Sequence, residues 1–169
     1  FQEQRTETLR GLYGHVLEIG FGTGLNLPHY PQAVTWLTVV EPVNLLPKKV
    51  ARRIATVSMP VKMVRRSAEQ LPFEDGCFDC VVSTWTLCTI PDPVAALQEV
   101  HRVLKPGGQY LFLEHGRSDD ARTARWQDRL NPIQQRIGCG CNLNRRIDGL
   151  ILQGGLRLIQ LDRFQMPGV

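Results

Sequence analysis

VLEIGFGTG, Val16 to Gly24, runs an apolar stretch straight into three glycines. A buried strand that ends in Gly20, Gly22 and Gly24 turns sharply, and without Cβ atoms the turn lets a ligand approach the backbone. Glycine turns of this kind also join ordinary strands to helices, so the stretch needs a second feature. Glu41 supplies one. It ends the next β-branched run, 21 residues beyond Gly20, where a carboxylate at the carboxyl edge of a parallel sheet accepts hydrogen bonds from both hydroxyls of a ribose. The glycine spacing is G-x-G-x-G followed by Leu25 and Asn26, whereas G-x-G-x-x-G usually precedes the helix that cradles a pyrophosphate. The spacing tilts the reading toward a nucleoside ligand without phosphates.

Outward from this turn, short β-branched runs alternate with helical patterns, which predicts an α/β fold: a Rossmann-like, mainly parallel sheet with helices on both faces. Strands are expected over 15–19, 35–40, 61–66, 78–83, 110–114 and 156–164, with helices filling the gaps. The clearest helix is 93–104, where Asp92 caps, Pro93 fits the first turn, and Lys105-Pro106-Gly107 stops it. Over 119–137, Trp126, Leu130, Ile133 and Ile137 keep a helical period, but Asn131-Pro132 predicts two short helices with a bend. Asn144 is expected to cap a further helix through 147–152, ended by Gly154-Gly155. Five residues follow 164, so the antiparallel seventh strand usual in such sheets is expected to be missing or the sheet closed differently. An unpaired edge there would favour a homodimer over a monomer.

The 169 residues, 43% hydrophobic and 21% charged, suit one domain with one core. No run approaches the apolar length of a membrane span, and no charged-then-apolar leader opens the chain. The net charge of +4 does not by itself imply a polyanionic partner. Seven arginines and three aspartates between Arg117 and Arg146 concentrate the basic excess; they face water in the simplest reading, and a membrane surface or acidic acceptor otherwise. Five cysteines, an odd count, predict free thiols and a reducing, cytoplasmic setting. Cys77 and Cys80 have C-x-x-C spacing and Cys139 and Cys141 form C-x-C, but neither pair has a neighbouring histidine and Cys80 falls in a buried run, so no metal site is expected.

Five motifs stand in order: VLEIGFGTG, the Glu41 strand end, SAEQLPF at Ser67 to Phe73, FDCVVST at Phe78 to Thr84, and LKPGG at Leu104 to Gly108. Together they resemble the class I S-adenosylmethionine-dependent methyltransferases over about 13–114. The resemblance implies the cofactor S-adenosylmethionine and its product S-adenosylhomocysteine. It implies that Glu18, Gly20, Phe21, Gly22 and Gly24 lie along the methionine part and that Glu41, with Pro42, holds the ribose. Ser67, Ala68 and Glu69 would border the adenine, although many members carry Asp where this chain has Ser67. Thr84 and Trp85 would face the methionine end.

The stretch EHG, Glu114 to Gly116, and IGCGCNLNR, Ile137 to Arg145, are similar to the methyltransferase-like thiol S-methyltransferases and their bacterial relatives. Cys139 stands where that family has an acidic residue, and Asn142 where it has a second Cys. The resemblance implies a small-molecule acceptor, with 115–146 as a segment covering it. STWTLCTI after the fourth strand lacks the Asn/Asp-Pro-Pro-aromatic arrangement of amino-methylating enzymes, and Cys88 lacks the preceding proline of cytosine-methylating ones. Nucleic acid is therefore not the expected substrate.

Methyl transfer from a sulfonium is a direct displacement, so alignment and exclusion of water matter more than a strong base. His115 is the candidate base or orienting group, or else satisfies loop backbone. Tyr30, Trp126, Cys139 and Cys141, with Trp85, are candidates for the acceptor pocket, and Arg145 and Arg146 for an acidic acceptor. A quinone precursor or phospholipid acceptor, a non-catalytic cofactor-binding module and, more distantly, an NAD-dependent oxidoreductase remain as rival readings.

Overall fold

Strand β1 (Gly14–Ile19) is buried at its last four positions and takes the centre of the sheet. The computed structural model describes residues 1–43 and 46–164. β1 pairs in parallel with β2 (Val34–Val40) on one side and β4 (Phe78–Thr84) on the other; β3 (Val61–Val64) and β5 (Leu104–Leu113) form the edges, giving the order β3-β2-β1-β4-β5. Neighbouring residues of β1 and β4 point to opposite faces, as the strand period requires. Val16, Cys80 and Val82 meet Leu9 of α1 (Gln2–Leu9) and Val50 of α2 (Pro47–Ile54). Leu17, Ile19 and Val81 meet Leu97 and Val100 of α3 (Pro93–Val103) and Ile151 of α5 (Ile147–Gln153). Both faces are covered, as an all-parallel sheet demands.

The Asp92 cap forms as expected: its Oδ1 accepts the Ala95 N–H at 3.0 Å. Arg102 near the end of α3 donates to the carbonyls of Leu71 and Phe73 and pairs with Glu99 and Asp75, while Glu99 accepts the Leu71 N–H. These bonds fix the stretch after β3 against α3.

Several expectations fail. Between β1 and β2 there is a turn and a 3-10 helix, Leu27–His29, and between β3 and β4 only turns, so helices do not fill every gap. Residues 156–164 form no strand: Leu156 and Leu158 pack on the core, but among the described residues no ladder partner lies beside them and Ile159 is 83% exposed. The helix α4 (Ala121–Ile137) is continuous through Pro132. Asn131 accepts the Leu143 N–H and donates to Asn142, tying the helix to the following loop where the proline removes a backbone bond. Asn144 donates to Asp128 instead of capping α5, whose N-cap is Arg146. Among the described residues no helix is long and apolar enough to cross a membrane.

Among the glycines with described surroundings the tightest is Gly20, at φ +72, where an added Cβ would stand 2.2 Å from Thr86. Gly22, at φ +55, has nothing within 4 Å of that position. Gly20→Ala combines left-handed strain with a clash and is expected to cost more than about 2 kcal/mol; Gly22→Ala carries the conformational cost alone, about 1–2 kcal/mol. Urea unfolding of both variants checks the ranking, and equal losses would contradict it.

Candidate active site

The strand order reverses direction between β1 and β4, and their carboxyl ends diverge there into a crevice, the usual ligand position in open parallel sheets. A cleft of about 170 Å³ occupies this point, lined by Glu18, Gly20, Phe21, Gly22, Thr84 and Trp85 together with Arg5, Thr23 and Leu25. A larger cleft of about 370 Å³ lies among His15, Trp36, Lys62 and Phe78, where strands begin; it stands at the opposite end of the strands from the glycine turn and Glu41.

Glu18 is almost fully buried beside the glycine turn. Tyr30 donates its hydroxyl to one carboxylate oxygen at 2.6 Å and Asn26 donates its amide to the other at 2.8 Å. Arg5 donates to Asn26 Oδ1 and, at 3.0 Å, to Thr84 Oγ1. Its guanidinium lies 4.5 Å over the Trp85 ring, a cation–π contact. Trp85 holds φ 51, an uncommon value for a bulky residue, at the first position after β4. Glu114 fixes that turn: its carboxylate accepts the N–H groups of Thr86 and Leu87 and the Ser83 hydroxyl. Burial pushes Glu114 up to about 7.

The Glu41 carboxylate stands across the cleft mouth, accepting the Gly22 N–H at 2.9 Å and the Val43 N–H at 3.2 Å. Pro42 beside it is exposed. The Ser67 hydroxyl donates to Glu69, which also accepts the Asp92 N–H, and Ala68 is buried. These three border the region after β3 and are not part of the cleft lining. Gly24 packs on the Phe21 ring.

Of the expected acceptor residues, Tyr30 is committed to Glu18, and Trp126 is 55% exposed on α4 with Arg129 beside its ring. Cys139 is exposed at φ 52. Arg145 donates to the carbonyls of Leu87 and Ile90 and so braces the turn after β4, and Arg146 is exposed. His115 and Cys141 do come together, with Nε2 and Sγ 3.2 Å apart, and Cys88 joins them. Burial lowers the His115 pKa, favouring the neutral imidazole.

Sequence reasoning missed Arg5, Asn26 and Glu114 as site residues. Asn26 and Glu114 flank recognisable motifs, but Arg5 belongs to a polar helix that reads as a solvated face, with no local signal of burial.

The arrangement fits S-adenosylmethionine in its chemistry. Gly22 leaves space at the cleft, Glu41 offers acceptors for a ribose, and Glu18 with Arg5 offers an acid and a base for an amino-acid ammonium and carboxylate. The cofactor supplies the reactive methyl group as part of a sulfonium.

Burial raises Glu18 from 4.5 to about 7 despite its hydrogen bonds and the nearby Arg5 charge. Between these values the folded chain holds a proton that the unfolded chain releases, so stability falls as pH rises through this window, by about 3 kcal/mol in all. In Glu18→Gln this dependence disappears. The stability difference between variant and wild type is expected to move by about 3 kcal/mol in the variant's favour from pH 4.5 to 8 in urea titrations; a pH-independent difference would contradict the assignment.

Residues 17–112, more than half the chain, match the methyltransferase domain family. The chain is 33% identical over 165 residues to thiol S-methyltransferase TMT1B of Homo sapiens, covering 94% of this chain and 67% of that protein. It is 30% identical over 127 residues to phosphatidylethanolamine N-methyltransferase of Cereibacter sphaeroides, covering 74% of this chain and 62% of that protein. The rat form of TMT1B is 35% identical over 77% of this chain, which spans only 54% of that protein's length. Among solved structures, a putative methyltransferase from Bacillus halodurans superposes with a TM-score of 0.75 at 21% identity, over 91% of this chain and 68% of that one. Fold, cleft and family agree: the chain belongs to the class I S-adenosylmethionine-dependent methyltransferases.

Proposed function

We propose that the chain transfers the methyl group of S-adenosylmethionine to the sulfur of a small thiol. The observation that carries this reading is the extent of the likeness to the thiol methyltransferase. It takes in 165 residues and so continues past β5 into the segment that brings Cys141 to His115. Residues 115–146 serve as the acceptor-covering segment.

Glu41 binds the ribose hydroxyls, and Gly20 and Gly22 let the backbone approach the methionine chain. Arg5 and Glu18 face its carboxylate and ammonium, and Thr84 and Trp85 close the wall on the β4 side. Phe21, Gly24 and Pro42 shape the turn on one side, and Ser67, Ala68 and Glu69 border the adenine on the other. The chain's contribution to rate is alignment: the acceptor sulfur must stand in line behind the methyl carbon in a site cleared of water. His115 favours loss of the thiol proton, the step that makes the sulfur a strong nucleophile. Cys139 and Cys141 belong to the loop that closes over the acceptor. The likeness to the phosphatidylethanolamine methyltransferase supports a second reading, methylation of a lipid amine, because it too exceeds the matched domain in length.

The test is transfer of labelled methyl to a panel of thiols, phenols, amines, quinone precursors and phospholipids. Label is expected on thiols, with His115→Ala lowering that rate at least about 100-fold, the lower end of the usual scale of proton-transfer assistance, while S-adenosylhomocysteine affinity holds. Label confined to a phospholipid or quinone precursor would contradict the thiol reading.

A further inference from the structure

Cys88 follows β4, His115 follows β5, and Cys141 lies in the loop after α4, yet one ligand atom from each falls within 4.8 Å of the others. Two sulfurs and an imidazole nitrogen are the donor set of soft or borderline metal ions. Zinc–sulfur bonds of about 2.3 Å and zinc–nitrogen bonds of about 2.0–2.1 Å place tetrahedral neighbours roughly 3.5–3.8 Å apart, so closure needs shifts of about 1 Å.

The segments are tied together independently of any metal. Asn142 donates both its backbone N–H, at 2.8 Å, and its side-chain amide, at 2.9 Å, to the Cys88 carbonyl. Gly140 N–H bonds to the Gln135 carbonyl, and Cys139 and Gly140 take positive φ to bring Cys141 inward. Arg145 holds the carbonyls on either side of Cys88, those of Leu87 and Ile90. A divalent ion with two thiolates and a neutral imidazole carries no net charge, which keeps the cost of partial burial low.

We infer that Cys88, His115 and Cys141 form a zinc-binding site whose fourth position takes the acceptor thiol. Three protein ligands with one open position is the pattern of catalytic zinc, including a Cys₂His version. The place is apt: the Cys88 thiol contacts the Trp85 carbonyl at 3.7 Å, and Trp85 walls the cofactor cleft. With His115 as a ligand, its part in loss of the thiol proton is exerted through the metal: on binding, the thiol sulfur bonds to the metal and its proton passes to solvent. The sulfur's electron pair then forms the new S–C bond as the sulfonium C–S bond breaks, that pair staying on S-adenosylhomocysteine sulfur; the thioether product, a weak ligand, departs. No redox change occurs. The fourth-ligand role rests on the thiol reading above; binding of the metal by the three side chains does not.

The test uses the whole chain, reduced with a phosphine, stripped by chelator and titrated with zinc chloride and separately with cobalt(II). The site predicts one zinc per chain and a tetrahedral, thiolate-charge-transfer cobalt spectrum that intensifies when a small thiol is added. Cys141→Ser, in a partly exposed loop, is expected to weaken zinc binding by about 10–100-fold or more, whereas Cys77→Ser at the opposite end of β4 retains it; circular dichroism and S-adenosylhomocysteine binding report that each variant is folded. Failure of the folded, reduced wild type to bind stoichiometric zinc, or binding indifferent to Cys141→Ser, overturns the site. A cobalt spectrum unmoved by thiol overturns the fourth-ligand role. Zinc bound by these residues without methyl transfer to thiols counts against the proposed function and leaves the metal site standing.

Discussion

The contact between Gly20 and Thr86 governs the rest of the structure. It is where the turn after β1 and the turn after β4 come close enough that no Cβ fits between them. Parallel strands with their carboxyl ends in register bring the two turns near, and the glycine turns nearness into contact. Thr86 is held on its side by Glu114, which binds the backbone of both Thr86 and Leu87. Trp85 is thereby set in a strained backbone conformation on the cleft wall. A single missing side-chain carbon thus fixes the geometry of both cleft walls.

Around that contact the chain buries charge that a stable core alone would avoid. Glu18, Arg5, Asn26, Tyr30 and Thr84 satisfy one another in a connected network. Desolvation still raises Glu18 to about 7, so the network costs stability at neutral pH. Such a cost is tolerated where polar groups must be held ready for a ligand. Glu41, by contrast, is partly exposed and, among the described residues, held by two backbone donors alone.

What the sequence revealed follows the range of the interactions involved. The strand into Gly20, the Glu41 strand end and the Asp92-Pro93 helix start are local signals and appear where expected. The 156–164 stretch has strand-like composition but no ladder partner, and only long-range pairing decides that. Pro132 signals a break locally, while Asn131 bridges it through a loop eleven and twelve residues on. Arg5 reads as surface until a β4 threonine and an asparagine from the glycine turn enclose it. Cys88, His115 and Cys141 share no motif spacing; they meet because β4 and β5 are neighbours and the loop after α4 folds back over both. Spacing within the C-x-x-C and C-x-C pairs pointed away from metal for that same reason.

The most direct measurement is a crystal structure of the chain with S-adenosylhomocysteine. Its ribose is expected on Glu41, its amino-acid end at Arg5 and Glu18, and its sulfur on the side of Trp85 that adjoins Cys88. Density for the ligand in the cleft among His15, Lys62 and Phe78, or with its sulfur directed away from Cys88, His115 and Cys141, would contradict this placement.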